Sequence, residues 1–181
     1  MKIDRLGILL KQKQKLFHTG DLALLWGISN NSTLYTTISR YIKKKILFPI
    51  HKGLYSVVLP DELNSYTLGI GFLHRFAYIS CETILVKAGI IMQNIYPITL
   101  VSDVSRSFVL YNKMYLCRKL KLEYLHNTVG ILESDGILTA VVERAIADLL
   151  YFNPHYHFDN KDRVDWDKVK FIRKEIGYDS G

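Results

Sequence analysis

His155, His157 and Asp159 place two imidazoles and a carboxylate in one short stretch, with a spacing that could hold a metal ion. The neighbouring Asn153 and Pro154 mark a loop, and no second ligand cluster accompanies them, so a surface loop is the better reading. Glu143, Arg144 and Asp148 bring two carboxylates and a guanidinium into one helical segment. Arg144 and Asp148 stand four apart with opposite sign, so a helix ion pair explains them as well as acid–base chemistry does. That pair is expected to be structural, cheap to lose if exposed and costly if buried, and either member could tie the helix to a neighbouring strand. Asp165 and Asp167 precede a helix, where carboxylates oppose the dipole favourably. Cys81 and Cys117 each sit alone in an apolar run, as reduced and buried thiols do in a cytoplasmic protein. The sequence has no glycine-rich phosphate loop and no Ser-His-Asp pattern. Catalytic residues, cofactor and metal are therefore all read as none.

The remaining chemistry is electrostatic. Residues 1–60 hold ten Lys/Arg against two acids, a balance of +8, whereas the whole chain of 181 residues carries +7. A basic third beside a near-neutral remainder is the footprint of polyanion binding. No acid occurs from Ser29 to Lys52. Projected as a helix, Leu34, Ile38, Tyr41, Ile42 and Lys45 share one side, the first four able to pack inward. Ser32, Thr36, Ser39, Arg40 and Lys43 fall opposite. Short hydroxyls allow close approach to base edges, Asn can read adenine, and Arg can pair with guanine. Asn30, Asn31, Ser32, Thr33, Tyr35 and Thr36 lie at the helix start, where base contacts concentrate. Lys43, Lys44, Lys45 and Lys52 are placed for phosphates. A protein-contacting surface with a solvated lysine run is the competing reading.

The elements that must position these residues follow from periodicity. Ile3, Leu6, Leu9 and Leu10 predict a first helix over 3–14. Phe17 to Thr19 is extended. A second helix starts at Gly20-Asp21 and closes at Gly27. Ser29 and Ser32 are candidate N-caps of a third helix running to about Lys44. Ile46 to Phe48 and Leu54 to Leu59 read as strands, with Pro49, Lys52 and Gly53 in the connection. This order is that of a winged helix-turn-helix, residues 1–60, with Pro60 to Ser65 as a soft boundary. Residues 61–181 read as a mixed α/β domain. Helices are expected over Tyr66–Phe76, Glu82–Lys87, Gly136–Tyr151 (at least from Thr139) and Asp167–Ile176. Tyr78–Ser80, Tyr96–Val101, Ser107–Tyr111 and Tyr115–Tyr124 read as β-rich. In the penultimate helix Val142, Ala145, Ile146, Leu149 and Leu150 form the stripe expected to be core. The fold class is thus α+β. No apolar run reaches the length of a membrane span or a signal segment, so no membrane contact and a cytoplasmic location are expected.

Asp21-Leu22-Ala23-Leu24-Leu25-Trp26-Gly27-Ile28-Ser29, Ser32 to Tyr35, Ile38 to Lys44 and Gly53-Leu54-Tyr55 resemble the N-terminal winged helix of the AbiEi family. Tyr78 to Leu85 with Gly89-Ile90, and Val142 to Tyr151, are similar to two segments of that family's larger domain. The resemblance spans about residues 15–178 and departs from the family at Ile50-His51-Lys52-Gly53, which carries no arginine. It implies a transcriptional autoregulator and repressor that binds double-stranded DNA at its own promoter. It also implies an antitoxin of a type IV toxin–antitoxin (abortive infection) system, facing an AbiEii-type nucleotidyltransferase toxin. The alternative is a DNA-targeted nuclease or transferase with its chemistry in residues 61–181, which a convergent acidic cluster or deep pocket there would favour.

Overall fold

The computed structural model describes residues 4–93 and 97–178. Lys2, Ile3 and Tyr96, used in the sequence reading, lie outside the described residues. The chain is α+β with two separate sheets, and it divides into two compact units, Met1–His74 and Arg75–Gly181. The first unit therefore runs past the boundary expected at residue 60. The Pro60–Glu62 turn does not separate it from the following helix, which docks back onto it.

In the first unit α1 covers Arg5–Leu10, shorter than the 3–14 expected, because the buried face ends at Leu9 and the chain leaves at Lys11. Asp4 caps it, its Oδ1 accepting from Gly7 N–H at 2.9 Å. β1 is Leu16–His18 and α2 is Thr19–Trp26. Asp21 Oδ2 accepts the His18 backbone N–H at 2.7 Å, fixing the start of α2. Gly27, at φ 62°, ends it in the left-handed region that a residue with a Cβ enters at a cost. α3 covers Asn31–Lys43. Its cap is Asn30, whose Oδ1 accepts from Thr33 N–H at 2.9 Å, and neither Ser29 nor Ser32. All four residues from Ser29 to Ser32 are cap-competent types, so composition alone leaves the choice among them open.

β2 (Phe48–His51) and β3 (Leu54–Ser56) form a hairpin in which Pro49 is a strand residue and not part of the connection. β2 is an edge strand of the antiparallel order β1-β3-β2, where a proline costs no ladder bond on its outer side. Leu9, Phe17, Leu22, Trp26, Ile28, Leu34, Ile38, Leu47 and Tyr55 close one core beneath α3. Each fully buried side chain of this size contributes about 1.5–3 kcal/mol. α4 (Ser65–Leu73) completes the unit. Its Gly71 carbonyl accepts from His18 Nε2 at 2.7 Å, and His74, just past its end, stacks on His18 with ring centroids 4.0 Å apart.

The second unit is built on a sheet ordered β6-β7-β5-β4-β9-β8. Its strands are β4 Ala77–Ile79, β5 Ile98–Ser102, β6 Arg106–Leu110, β7 Lys113–Lys119, β8 Ile131–Ser134 and β9 Ile137–Ala140. α5 covers Glu82–Lys87, α6 Leu122–Leu125, α7 Val142–Phe152 and α8 Trp166–Ile176. Two expectations fail here. Residues 122–125 turn into α6 and do not prolong a strand. Gly136 to Ala140, expected to open a helix, form the turn and β9, and Thr139 is a strand residue paired with Ile79 of β4 and Leu132 of β8. Ile137, Leu138, Ala140, Val141 and Val142 run apolar across that switch and hide it, because a short two-sided strand and a helix face look alike in sequence. Ala145, Ile146 and Leu149 are buried core as expected, while Val142 and Leu150 are only half-buried. Among the described residues no helix is long and apolar enough to cross a membrane.

Candidate nucleic-acid interface

α3 lies with Leu34 and Ile38 in the core of the first unit, each at most 3% exposed, and Tyr41 and Ile42 half-buried beside them. Lys45, grouped with that side in projection, is exposed, because the chain has left the helix at Lys44 and stands at φ 55°. Thr37 is buried in its place, its hydroxyl donating to the Thr33 carbonyl at 2.8 Å. A threonine whose hydroxyl is satisfied within its own helix can face the core, and its polarity hides this in sequence.

All twelve candidate contact residues are exposed: Asn30, Asn31, Ser32, Thr33, Tyr35, Thr36, Ser39, Arg40, Lys43, Lys44, Lys45 and Lys52. The structure also distinguishes among them. Asn30 commits one lone pair of its carbonyl oxygen to the helix cap, which leaves chiefly its amide N–H groups to reach outward. Thr36 Oγ1 donates to the Ser32 carbonyl at 2.8 Å, so its hydroxyl hydrogen is already used within the helix. Arg40 Nη2 reaches Thr37 Oγ1 only at 3.5 Å, a weak contact that leaves the guanidinium available.

The hairpin tip faces α3 across a cleft of about 660 Å³ lined by Thr19, Tyr35, Ile42, Pro49, Ile50, His51, Lys52, Gly53 and Tyr55. Sequence reasoning found Tyr35 and Lys52 but not the rest, since nothing in local periodicity says that β1 pairs with β3 and brings Thr19 to the hairpin. Thr19 N–H donates to the Gly53 carbonyl at 2.9 Å, and this bond holds the tip in place. The cleft combines one ammonium group with aromatic and aliphatic walls. The segment from Leu22 to Leu59 around it contains no acid at all.

The second unit places its charges differently. Arg144 and Asp148 are both fully buried, with Nε to Oδ1 at 2.9 Å. Asp148 Oδ2 accepts from Tyr78 at 3.0 Å and Ser80 Oγ at 2.7 Å, and its Oδ1 accepts from the Tyr178 hydroxyl at 2.6 Å. Arg144 donates further to the Asn127 and Val129 carbonyls and to the Tyr78 oxygen, at 2.9–3.0 Å. Gly130, at φ 75°, permits that approach, because a Cβ there would stand 2.8 Å from the Cβ of Arg144. Burial, and then the Asp148 charge, push the Tyr78 and Tyr178 phenols well above their ordinary range. Burial works against the Arg144 cation, but Asp148 and the two phenols outweigh it and raise its pKa. Every charged atom in this set is already spent on a protein partner, which is the arrangement of a tie and not of a site awaiting substrate.

The remaining candidates are dispersed. Glu143 pairs with Lys168 of α8 at 3.3 Å. Glu82, nearly buried, accepts from Arg118 and from Thr99 Oγ1. His155 and His157 are exposed, while Asp159 accepts the Met92 N–H at 2.7 Å. Among the described residues no group of three or more His, Cys, Asp or Glu is placed to hold a metal ion. Asp165 caps α8 by accepting from Lys168 N–H at 3.0 Å, and Asp167 lies in its first turn. Both cysteines are free and buried; burial pushes the Cys117 thiol up to about 12 and the Cys81 thiol well above its ordinary value. A thiol so raised holds little thiolate at neutral pH. No protein-family model matches the sequence, and no curated protein matches it.

Proposed function

We propose that the first unit is a winged helix-turn-helix that binds double-stranded DNA, and that the chain is a transcriptional autoregulator and antitoxin opposing a nucleotidyltransferase toxin. The observation that carries the DNA reading is one acid-free stretch of chain running from the start of α3 through the tip of the hairpin, with every candidate contact exposed. In this reading α3 enters the major groove by its N-terminal half. Asn31, Ser32 and Tyr35 approach base edges, Arg40 reaches a guanine, and exposed Thr36 offers a methyl that suits a thymine methyl. The cleft admits one sugar–phosphate strand, with Lys52 on one side of it and Lys43 to Lys45 where α3 climbs past the backbone. The antitoxin part rests on the resemblance of residues 78–90 and 142–151 to the AbiEi family's larger domain.

Gel-shift titration against the DNA upstream of the gene tests the first part. Arg40→Ala and Thr36→Glu should each weaken specific binding, by about 1–3 kcal/mol for a lost base contact. Unchanged affinity in both variants would remove this docking geometry. Rescue of growth during expression of an AbiEii-type nucleotidyltransferase tests the second part, and absence of rescue would leave a DNA-binding protein without antitoxin activity.

A further inference from the structure

His51 lines the cleft between α3 and the hairpin tip, beside Lys52, and the DNA reading leaves it without a task. It is the last residue of β2, paired with Leu54 across the turn at Lys52-Gly53, and its side chain is exposed. Two contacts set its ring. The Phe72 ring of α4 meets it at 83°, with centroids 5.1 Å apart, and offers no hydrogen-bond acceptor. Nδ1 lies 3.4 Å from the Lys52 carbonyl oxygen, which can only accept, so Nδ1 is the nitrogen that carries hydrogen. Nε2 of the neutral ring is then an acceptor. It becomes a donor only when the imidazole takes up a proton, which histidine does near neutral pH.

The charges around the ring favour its neutral form in the absence of a ligand. Lys52 adjoins it, and Tyr35 and Tyr55 line the same cleft. α3 brings Arg40 and Lys43, α4 brings Tyr66, and neither helix nor the hairpin contains an acid. Asp21 of α2 is turned to other partners: its Oδ2 accepts the His18 N–H, and its Oδ1 lies 3.3 Å from His74 Nε2. A phosphate in the cleft would supply the anion that is missing there. Given the DNA reading of the first unit, on which this rests, we infer that His51 is a phosphate contact that acts only in its protonated form, so that DNA binding takes up a proton at the hairpin tip. Neutral, Nε2 turns a lone pair toward the phosphate; protonated, it donates to it. Binding therefore raises the proton affinity of the imidazole. The gain in DNA affinity is fully present at low pH and is lost as pH rises through the value at which the bound ring gives up its proton.

The experiment titrates a fluorescein-labelled duplex of the DNA upstream of the gene with the full-length chain, read by anisotropy at fixed ionic strength. Wild type should bind roughly three- to tenfold tighter at about pH 6 than at about pH 8, the range that one proton-linked contact allows. His51→Gln should bind equally at both pH values, and so should His51→Lys, which carries its charge throughout; circular dichroism checks that both fold. In the wild-type chain the His51 ring resonances should titrate at higher pH with the duplex than without it, a readout independent of the variants. No binding of duplex by wild type at either pH overturns the DNA reading and the proton linkage together. Binding that is equal at both pH values, a pH dependence that persists in folded His51→Gln, or a His51 ring that titrates alike with and without duplex overturns the proton linkage alone.

Discussion

The two units treat charge in opposite ways. Half-buried Arg5 apart, the first keeps its described lysines and arginines on the outside, and among the described residues every Lys/Arg ion pair belongs to the second. An unopposed surface cation does little for folding but releases a counterion when it meets a phosphate. A buried pair with every lone pair satisfied does the reverse, costing desolvation and holding several elements in one arrangement. Arg144 and Asp148 join α7, β4, the loop at 127–129 and the end of α8. The same residue types therefore serve recognition in one unit and architecture in the other, with burial as the difference.

The largest test of this contrast is Arg144→Ala. It strands the Asp148 carboxylate in the core, and stability should fall by about 3–5 kcal/mol in denaturant melts. DNA affinity per folded molecule should stay unchanged. Loss of toxin rescue at an unchanged melting temperature would instead place this pair at a functional surface.

A pH titration separates the units without mutation. The Tyr78 and Tyr178 phenols are raised in the folded state, so their contribution is fully present below the unfolded value of about 10 and is lost as pH climbs above it. The second unit should lose on the order of 1 kcal/mol per tyrosine per pH unit above that point. Near-ultraviolet tyrosinate absorbance followed against circular dichroism reads it. Ionisation of both phenols near 10 without unfolding would break the assignment.

Smaller effects belong to the outer surface. Lys43→Ala, Lys44→Ala, Lys45→Ala and Lys52→Ala should each reduce the slope of log K against log salt by about one, with melting unchanged. A salt-insensitive affinity would deny the first unit its proposed use. Smallest is Asn30→Ala, which removes the cap of α3 and should cost about 1 kcal/mol of stability. Its DNA affinity should fall only as far as α3 frays, so a Ser substitution that restores the cap should restore most of both.

The sequence by itself determined the elements whose signals are local. Gly27 closing α2, α5 at 82–87 and the apolar stripe of α8 are all legible, because caps and 3.6-residue periodicity act within one or two turns. It also determined the outer face of α3, since an acid-free run remains acid-free in any fold. Tertiary structure decided what depends on pairing at a distance. β9 is a strand because β4 and β8 flank it, although its residues suit a helix equally well. Thr37 is core because its own helix satisfies its hydroxyl. Thr19 reaches the cleft because β1 joins β3. The Arg144–Asp148 pair, read as a helix tie in either setting, becomes a buried knot only through Tyr78, Ser80 and Tyr178, far apart in the chain. Burial sets the energy of a charge by desolvation, and desolvation is a property of the surroundings that no single stretch of sequence contains.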